Sequence, residues 1–534
     1  MTSSIRALRA YSIIVFLVQF NFSIGQQIEF INGKLVDSKD ATSIPFATIK
    51  IKNKSKGLIS NLDGGFRIPY ELVSLKDTLV ISSMGYKTKE IPLTDLSKNQ
   101  INYIRLSEKV EMLAEVVLID SKIRKRLKAK EIVRKAIKRI PENFPFEPFS
   151  YIGYYRDYQL KDSKYLNLKE AILEVFDPGF GFEDLKNTQT KIYNYKTNID
   201  FPIDTLAAKP YDYINRSKII NNATLDGQGG NEYTILRLHD ALRNHNINTY
   251  DFINRLDIDL IKNHRLKLSY ETSLNDIPLY VVNLIKNQTP YKVQGKIFIS
   301  KGDFHIYKLE YNVYDTKNNK GQKQSNSFKE ANEKIPGKLL YQIIVEYQLH
   351  KDRMYPNYIS FNNSFEVLQP PKFIPDTVKV NHDKKFFEVV FNNPPVPSSA
   401  RKKNRYRLWY QGIYLAIDSI VTKNKSVRLY PKQKSWVFDS KRIQSQRKTT
   451  NKGITLEVKN VVDIYGNEVH KSESTSYSQF REFFVQQLNS NNLKSTDGHF
   501  MLKTRPLHKN QAIVAPKNLT GYWMNTPLKS NKNN

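Results

Sequence analysis

Three sets of side chains in this sequence have types and spacings that could do chemistry. His470 and Glu473 stand as a His-x-x-Glu pair, a spacing at which an imidazole and a carboxylate can share a zinc ion and prepare a hydrolysis. Asp226, Asn231 and Glu232 bracket a glycine-rich stretch and offer the oxygen ligands calcium takes. Glu170, Glu174 and Asp177 could supply paired carboxylates for general acid–base work. Each set is incomplete. No third ligand or general base accompanies His470, and Tyr465-Gly466-Asn467-Glu468 just before it reads as a hairpin turn. The glycine loop departs from the helix–loop–helix calcium pattern, and solvated charge explains the carboxylates equally well. No Gly-x-Ser-x-Gly elbow and no phosphate-binding loop is present. Tyr154 and Tyr155 read as strand-pair or core aromatics rather than a platform for sugars. The expectation is a chain that is not an enzyme and uses neither a metal nor another cofactor.

The densest charge lies elsewhere. From Ser121 to Ile140 the apolar residues Ile123, Leu127, Ile132, Val133, Ala136, Ile137 and Ile140 recur mostly at three- and four-residue intervals, which predicts one apolar stripe on a helix that Pro141 stops. Lys122, Arg124, Lys125, Arg126, Lys128, Lys130, Arg134, Lys135, Lys138 and Arg139 fill the rest, against Glu131 alone. Two readings follow. The helix either touches a polyanion or a membrane surface with this face, or it packs its stripe on a neighbouring domain and leaves the charges in water. The stripe lacks the Trp or Phe of an interfacial helix.

The elements that must position these residues are mostly strands. The chain has 534 residues, a formal net charge of +31 and no cysteine. Arg6 and Arg9, an apolar run from Ala10 to Phe20 and Ser23-Ile24-Gly25 read as a secretory signal cleaved after Gly25, with the run too short to span a bilayer comfortably. Without cysteine there is no lipid-modified cysteine, disulfide or thiol nucleophile, and a bacterial periplasm is the compartment that fits. The charge favours polyanionic partners. Export argues against nucleic acid, so anionic lipid, lipopolysaccharide or an acidic glycan is expected, with an envelope protein as a further candidate.

Gly33-Lys34-Leu35-Val36-Asp37, Ile44 to Ile51, the turn Asn61-Leu62-Asp63-Gly64-Gly65-Phe66 and Leu79 to Lys87 alternate apolar and polar residues between left-handed turn residues. Asp63, Gly64, Gly65 and Gly85 are the turn formers. In this order the residues resemble the carboxypeptidase-regulatory-like domain of Bacteroidota cell-envelope proteins, a module also found ahead of the plug in nutrient receptors that depend on TonB. The resemblance covers about residues 28–108 and implies a transthyretin-like β-sandwich of about seven strands. It implies no peptidase activity, since the module accompanies enzymes and receptors without performing their chemistry. The His470–Glu473 pair also matches that of metallocarboxypeptidases, which keeps a zinc-dependent carboxypeptidase-type hydrolase as one alternative. Leu113 to Leu118 resembles the short strand that follows the module in receptors. No plug, no series of barrel strands and no terminal aromatic strand follows, so a receptor barrel is not expected.

Beyond the basic helix, Tyr151 to Arg156 and Tyr165 to Phe176 read as strand, the latter also as helix, with a turn at Asp177-Pro178-Gly179. Residues 209–232 read as a long polar loop, and Tyr233 to Ile261 as partly helical. Leu266–Glu271, Leu279–Lys286, Val293–Ser300, His305–Tyr314, Leu339–Leu349 and Tyr358–Leu368 then predict an antiparallel meander, either open or curved into a half-barrel. Pro-Phe-Ser-Tyr-Ile-Gly-Tyr-Tyr-Arg-Asp and Val-Gln-Gly-Lys-Ile-Phe-Ile-Ser resemble Bacteroidota envelope proteins, and the strand series is loosely similar to periplasmic lipoprotein-carrier half-barrels that hold acyl chains. Prolines at 370, 371, 375, 394, 395 and 397 predict a linker or irregular loop over 369–405, and Tyr477 to Val485 reads as a last helix. The fold class expected is mainly β: a signal (1–25), the sandwich (26–108), a linker strand with the basic helix (109–145), a larger antiparallel domain (146–398) and a basic region ending in a partly disordered tail (399–534). The function expected is binding or scaffolding at the periplasmic face of the outer membrane, with a lipid or acyl carrier as an alternative.

Overall fold

In a computed structural model the described residues are 29–54, 56–74, 76–109, 127–208, 218–219, 231–247, 253, 255–256, 258–316, 337–432, 438, 453–490, 498–514, 516 and 519–528. The expected signal, the expected strand Leu113–Leu118, Lys122, Arg124, Lys125, Arg126 and Asp226 lie outside them. The chain divides into two compact units. Met1–Ala208, Asn221–Ser364 and Ser478–Asn534 form the first; Lys209–Ile220 and Phe365–Tyr477 form the second.

The first unit opens with seven strands: β1 (Phe30–Asp37), β2 (Thr48–Ile51), β3 (Gly57–Ile59), β4 (Gly65–Pro69), β5 (Thr78–Ser82), β6 (Lys89–Pro92) and β7 (Asn102–Leu106). They make two sheets, β4-β1-β7 and β3-β2-β5-β6, with β1 and β7 parallel and the other pairs antiparallel. The alternation in sequence becomes two inward faces: Leu35, Ile49, Phe66, Leu79, Ile81 and Ile104 close a shared core, each 4 % exposed or less. At the β3–β4 turn Asp63 accepts the Gly65 amide at 3.1 Å, and Gly64 has φ +76°, a left-handed backbone that costs glycine nothing.

The same unit holds helices α1 (Ala129–Lys138), α2 (Ile140–Asn143), α3 (Asp184–Asn187), α4 (Glu232–Leu238) and α5 (Ile258–Asn263). Its strands are β8 (Phe149–Lys161), β9 (Lys164–Asp177), β10 (Gln189–Thr197), β12 (Arg265–Leu274), β13 (Ile277–Gln288), β14 (Tyr291–Ser300), β15 (Ile306–Asp315), β16 (Lys338–His350), β17 (Arg353–Leu368) and β25 (Ser474–Asn489). They lie in the order β10-β9-β8-β25-β17-β16-β15-β14-β13-β12, an open sheet and not a closed barrel. The expected meander is β12 to β17, antiparallel throughout. β25 inserts between β8 and β17, and it is a strand where a helix was expected. Phe480, Phe483 and Phe484 fit a helical stripe, yet they are buried on opposite faces of one strand.

Both faces of the sheet's centre are covered. Tyr151 and Tyr155 of β8, Leu173 of β9, Val345 of β16 and Phe483 of β25 point into a core shared with α1, α4 and α5. Residues of the opposite parity, Ile344, Tyr358 and Phe484, pack on the N-terminal sandwich, where Phe46 stacks on Tyr358 with ring centroids 5.5 Å apart. The sandwich is therefore docked on the sheet. The last described segment, 519–528, is held against both: Trp523 Nε1 donates to the Arg67 carbonyl at 2.9 Å, and Gln486 Nε2 donates to the Trp523 carbonyl at 2.8 Å.

The second unit contains the short β11 (Lys218–Ile219), paired with Glu366 and Val367, and a small sandwich. One of its sheets is β18 (Pro375–Asn381), β19 (Phe386–Phe391), β23 (Ser426–Pro431) and β22 (Ile417–Lys423). The other is β21 (Ile413–Leu415), β20 (Tyr406–Tyr410) and β24 (Ile454–Val458). Phe387, Val389, Leu408, Leu415, Val427 and Leu429, all fully buried, fill the space between them. The linker expected over 369–405 is instead two strands and the short helix α6 (Pro397–Ala400), with Pro375 opening β18 and Pro397 at a helix start, where a missing amide costs nothing. The boundary expected at residue 398 falls inside this unit.

Candidate functional site

Of the stretch expected to be helical, Ala129 to Lys138 forms α1, and its stripe is used internally. Ile132 and Val133 are fully buried and Ala136 nearly so, packed against β12 and β14. Full burial of such a side chain contributes about 1.5–3 kcal/mol, so an interfacial helix lying in lipid would have to give this up. Lys128, Lys130, Arg134, Lys135 and Lys138 remain exposed. None of the five has an ion-pair partner among the described residues. Arg139 differs. Its Nη1 donates to the carbonyls of Gly302 (3.3 Å) and Asp303 (3.0 Å), and it shares the Phe304 ring with Lys135, the two cations lying 5.3 and 5.2 Å from the ring centre.

The other candidates are consumed by structure. Glu170 is fully buried on β9 and accepts from Tyr154 OH (2.6 Å), Asn198 Nδ2 (2.7 Å) and Thr526 Oγ1 (2.6 Å). Glu174 accepts from the Tyr193 hydroxyl. Asp177 projects from the opposite face into a different network, so the three carboxylates do not form a pair. Tyr154 and Tyr155 are core side chains, 4 % and 1 % exposed. Asn231 caps α4 by accepting the Thr234 amide at 2.9 Å, and Glu232 accepts the Leu507 amide at 3.1 Å. His470 sits exposed at φ +60° in the turn after Val469, and Glu473 pairs with Lys372 at 2.9 Å. Among the described residues no cluster of three His, Asp or Glu is arranged to hold a metal ion.

Two charged networks inside the first unit were not legible in the sequence. On the helix side of the sheet, Arg243 grips Asp177 with Nε and Nη2, both at 2.9 Å, while Arg237 reaches Asp177 (3.0 Å), Asp184 (2.5 Å) and the Tyr151 hydroxyl. Burial opposes the charge of Asp184, but Arg237 and Arg243 hold its carboxyl below the ordinary value. Asp240 accepts the amides of Leu242 and Arg243 and the Tyr347 hydroxyl (2.7 Å), and burial pushes it up to about 6. On the sandwich side, Arg156 Nε donates to Glu482 and Arg156 Nη1 to Asn61 of the sandwich, while Tyr358 OH donates to Glu482 at 2.6 Å. The only signal was indirect: Arg156 and Glu482 are charges set inside aromatic runs. The voids beside the two networks are small, about 20 Å³ and about 10 Å³.

An open polar cleft of about 1240 Å³ lies where the sandwich meets the β10 end of the sheet. Strands β6 and β7 and the loop between them form one wall; Lys196, Asn198, Asp200 and Phe201 form the other, with Thr526 to Leu528 at one side.

Residues 31–118 match the CarboxypepD_reg-like domain, so the N-terminal sandwich is a domain of this class, which is non-catalytic. Comparison with curated proteins finds no match. Among solved structures, a DUF1329 family protein from Desulfovibrio piger is matched at 8 % identity, over 44 % of this chain and 87 % of that one, with a TM-score of 0.20.

Proposed function

We propose that the chain is an exported, non-enzymatic binding or scaffolding protein of the bacterial cell envelope, of Bacteroidota type, that meets anionic lipid or lipopolysaccharide at the periplasmic face of the outer membrane. The observation that carries this reading is the exposed face of α1, where Lys128, Lys130, Arg134, Lys135 and Lys138 stand without carboxylate partners among the described residues. With its stripe buried, the helix works as a fixed electrostatic face and not as an inserted one. Each cation near an anionic leaflet contributes about 1 kcal/mol. The acyl-carrier alternative needs a void of hundreds of Å³, and the two voids that the described residues enclose beside the charged networks are about 20 and about 10 Å³, so there the helix layer or the sandwich would have to lift away.

The test is sedimentation with vesicles of phosphatidylglycerol and phosphatidylcholine at low salt. Lys130→Glu with Arg134→Glu and Lys138→Glu is expected to weaken binding by about a hundredfold, and salt to weaken the wild type as the Debye length shortens. Equal binding by the triple variant, or none by the wild type, overturns the reading.

A further inference from the structure

The cleft between the sandwich and β10 has a chemistry of its own. At its floor Arg67 is fixed by the chain's last described segment: its Nε donates to the Met524 carbonyl at 3.2 Å, its Nη2 to Thr526 Oγ1, and its guanidinium lies 4.5 Å from the centre of the Phe30 ring. Thr526 passes its own hydroxyl to Glu170, so the link from Arg67 to that carboxylate runs through a neutral group. Arg67 itself has no ion-pair partner among the described residues, and its Nη1 has no hydrogen-bond partner among them. Burial draws the Arg67 pKa below its ordinary value, with Glu170 acting against that only in second place. A held and half-buried cation thus faces an open space, with Glu170 and Asp200 acting on its charge but neither bonded to it directly.

The surroundings narrow what would complete it. Lys196 is exposed on the opposite wall and has no ion-pair partner among the described residues. Of the carboxylates that line the cleft, Glu90 on the near wall is already paired with Lys52 at 2.6 Å, while Asp95 and Asp200 are exposed, against the cations Arg67, Lys89, Lys98 and Lys196. Tyr103 stands 66 % exposed on β7 at the rim, with the amides of Asn99 and Gln100 beside it, exposed as well. An aromatic face, side-chain amides and a fixed guanidinium are what bind a sugar ring, its hydroxyls and an acidic substituent respectively. At about 1240 Å³ the cleft exceeds the ~300–1,000 Å³ of sites for single small molecules, so it fits an oligomer better than one sugar.

We propose that this cleft is a binding site for an acidic oligosaccharide, with a carboxylate of the glycan seated between Arg67 and Lys196 and one ring stacked on Tyr103. The site is independent of the basic face of α1. The experiment is calorimetric titration of the full-length mature chain with tetragalacturonate and with its neutral methyl ester. Tetragalacturonate is expected to bind, and the ester to bind at least tenfold more weakly. Arg67→Gln should abolish binding. Because Arg67 also holds the 519–528 segment, Lys196→Gln and Tyr103→Ala carry the decision: each should weaken binding at least fivefold with the melting temperature unchanged. The α1 triple charge reversal should bind tetragalacturonate like the wild type, which separates this proposal from the vesicle reading. No binding of either oligomer, equal binding of both, or full binding by both Lys196→Gln and Tyr103→Ala overturns it.

Discussion

The two faces of the central sheet solve the same problem in different ways. On the helix face the strands offer tyrosine hydroxyls to the layer that covers them: Tyr151 to Arg237, Tyr347 to Asp240 and Tyr311 to His264. Two arginines there share Asp177 and Asp184, four charges from segments far apart in the chain. On the sandwich face the tyrosines bond within the sheet, Tyr154 to Glu170 and Tyr358 to Glu482. A single arginine, Arg156, then reaches out to the neutral Asn61 of the sandwich. The helix layer is thus tied on by ion pairs. The sandwich is seated mainly by apolar surface and amide hydrogen bonds. Buried pairs cost desolvation, and removing one partner costs more than the pair ever contributed, because the other charge stays behind.

The sharpest way to break this contrast is to delete one arginine on each side. Arg243→Ala strands Asp177 with Arg237 alone and is expected to lower stability by about 3–5 kcal/mol. Arg156→Ala leaves Glu482 still hydrogen-bonded by the Tyr358 hydroxyl, so its cost should fall at the low end, about 3 kcal/mol. Urea unfolding gives both values, and the double variant should be additive, since the residues sit on opposite faces without a shared partner. A larger loss from Arg156→Ala, or strong non-additivity, would mean that the two networks are one.

The apolar part of each cover is a second lever of smaller size. Ile132→Ala under α1 and Ile344→Ala under the sandwich each remove a buried aliphatic group, 0 % and 4 % exposed, and each should cost about 2–4 kcal/mol in the same unfolding measurement. Hydrogen exchange separates them. Ile132→Ala should speed exchange in α1 and β12, and Ile344→Ala in β2, β3 and β5. Faster exchange throughout the first unit for either variant would sink the idea that the covers are separable.

How much of this could be read from the chain depends on whether one face of a strand keeps polar residues. The meander β12 to β17 was legible because one side keeps polar residues, as at Lys308, Glu310 and Asn312 of β15, so period two survives in the sequence. The sandwich was legible for the same reason, and its turn residues Asp63 and Gly64 carry the geometry that their types suggested. Strand β25 was not. Buried on both faces, Phe480-Arg481-Glu482-Phe483-Phe484-Val485 has no alternation left, and its aromatics fall by chance at helical spacing. The exposed half of the basic face was visible as composition, but that its stripe was already occupied is a tertiary fact. The cleft was invisible altogether. Arg67 and Thr526 are 459 residues apart, and no local pattern marks either.

The smallest expected effect is a pH dependence in which two groups of the helix face oppose one another. His264 is buried, with Nδ1 against the Leu260 carbonyl (3.0 Å) and Nε2 accepting from Tyr311 OH (2.7 Å); burial, helped by Lys286, pushes its pKa down to about 4. A depressed folded pKa means that its stabilisation is present above the ordinary histidine value and is lost as pH falls toward 4. Asp240, raised to about 6 by burial, has the opposite sign: its contribution is complete at low pH and is lost as pH rises through 6. Between pH 7 and pH 5 the histidine should cost about 2 kcal/mol and the aspartate return about 1 kcal/mol, so the wild type changes little. Asp240→Asn should therefore steepen the acid side of the stability profile, and His264→Phe should reverse its slope. Unfolding midpoints of the three proteins at pH 7, 6 and 5 decide it. If Asp240→Asn follows the wild-type profile, then Asp240 is already ionised at pH 5, its amide and Tyr347 donors outweigh burial, and the helix face is held by ion pairs with no titrating weak point.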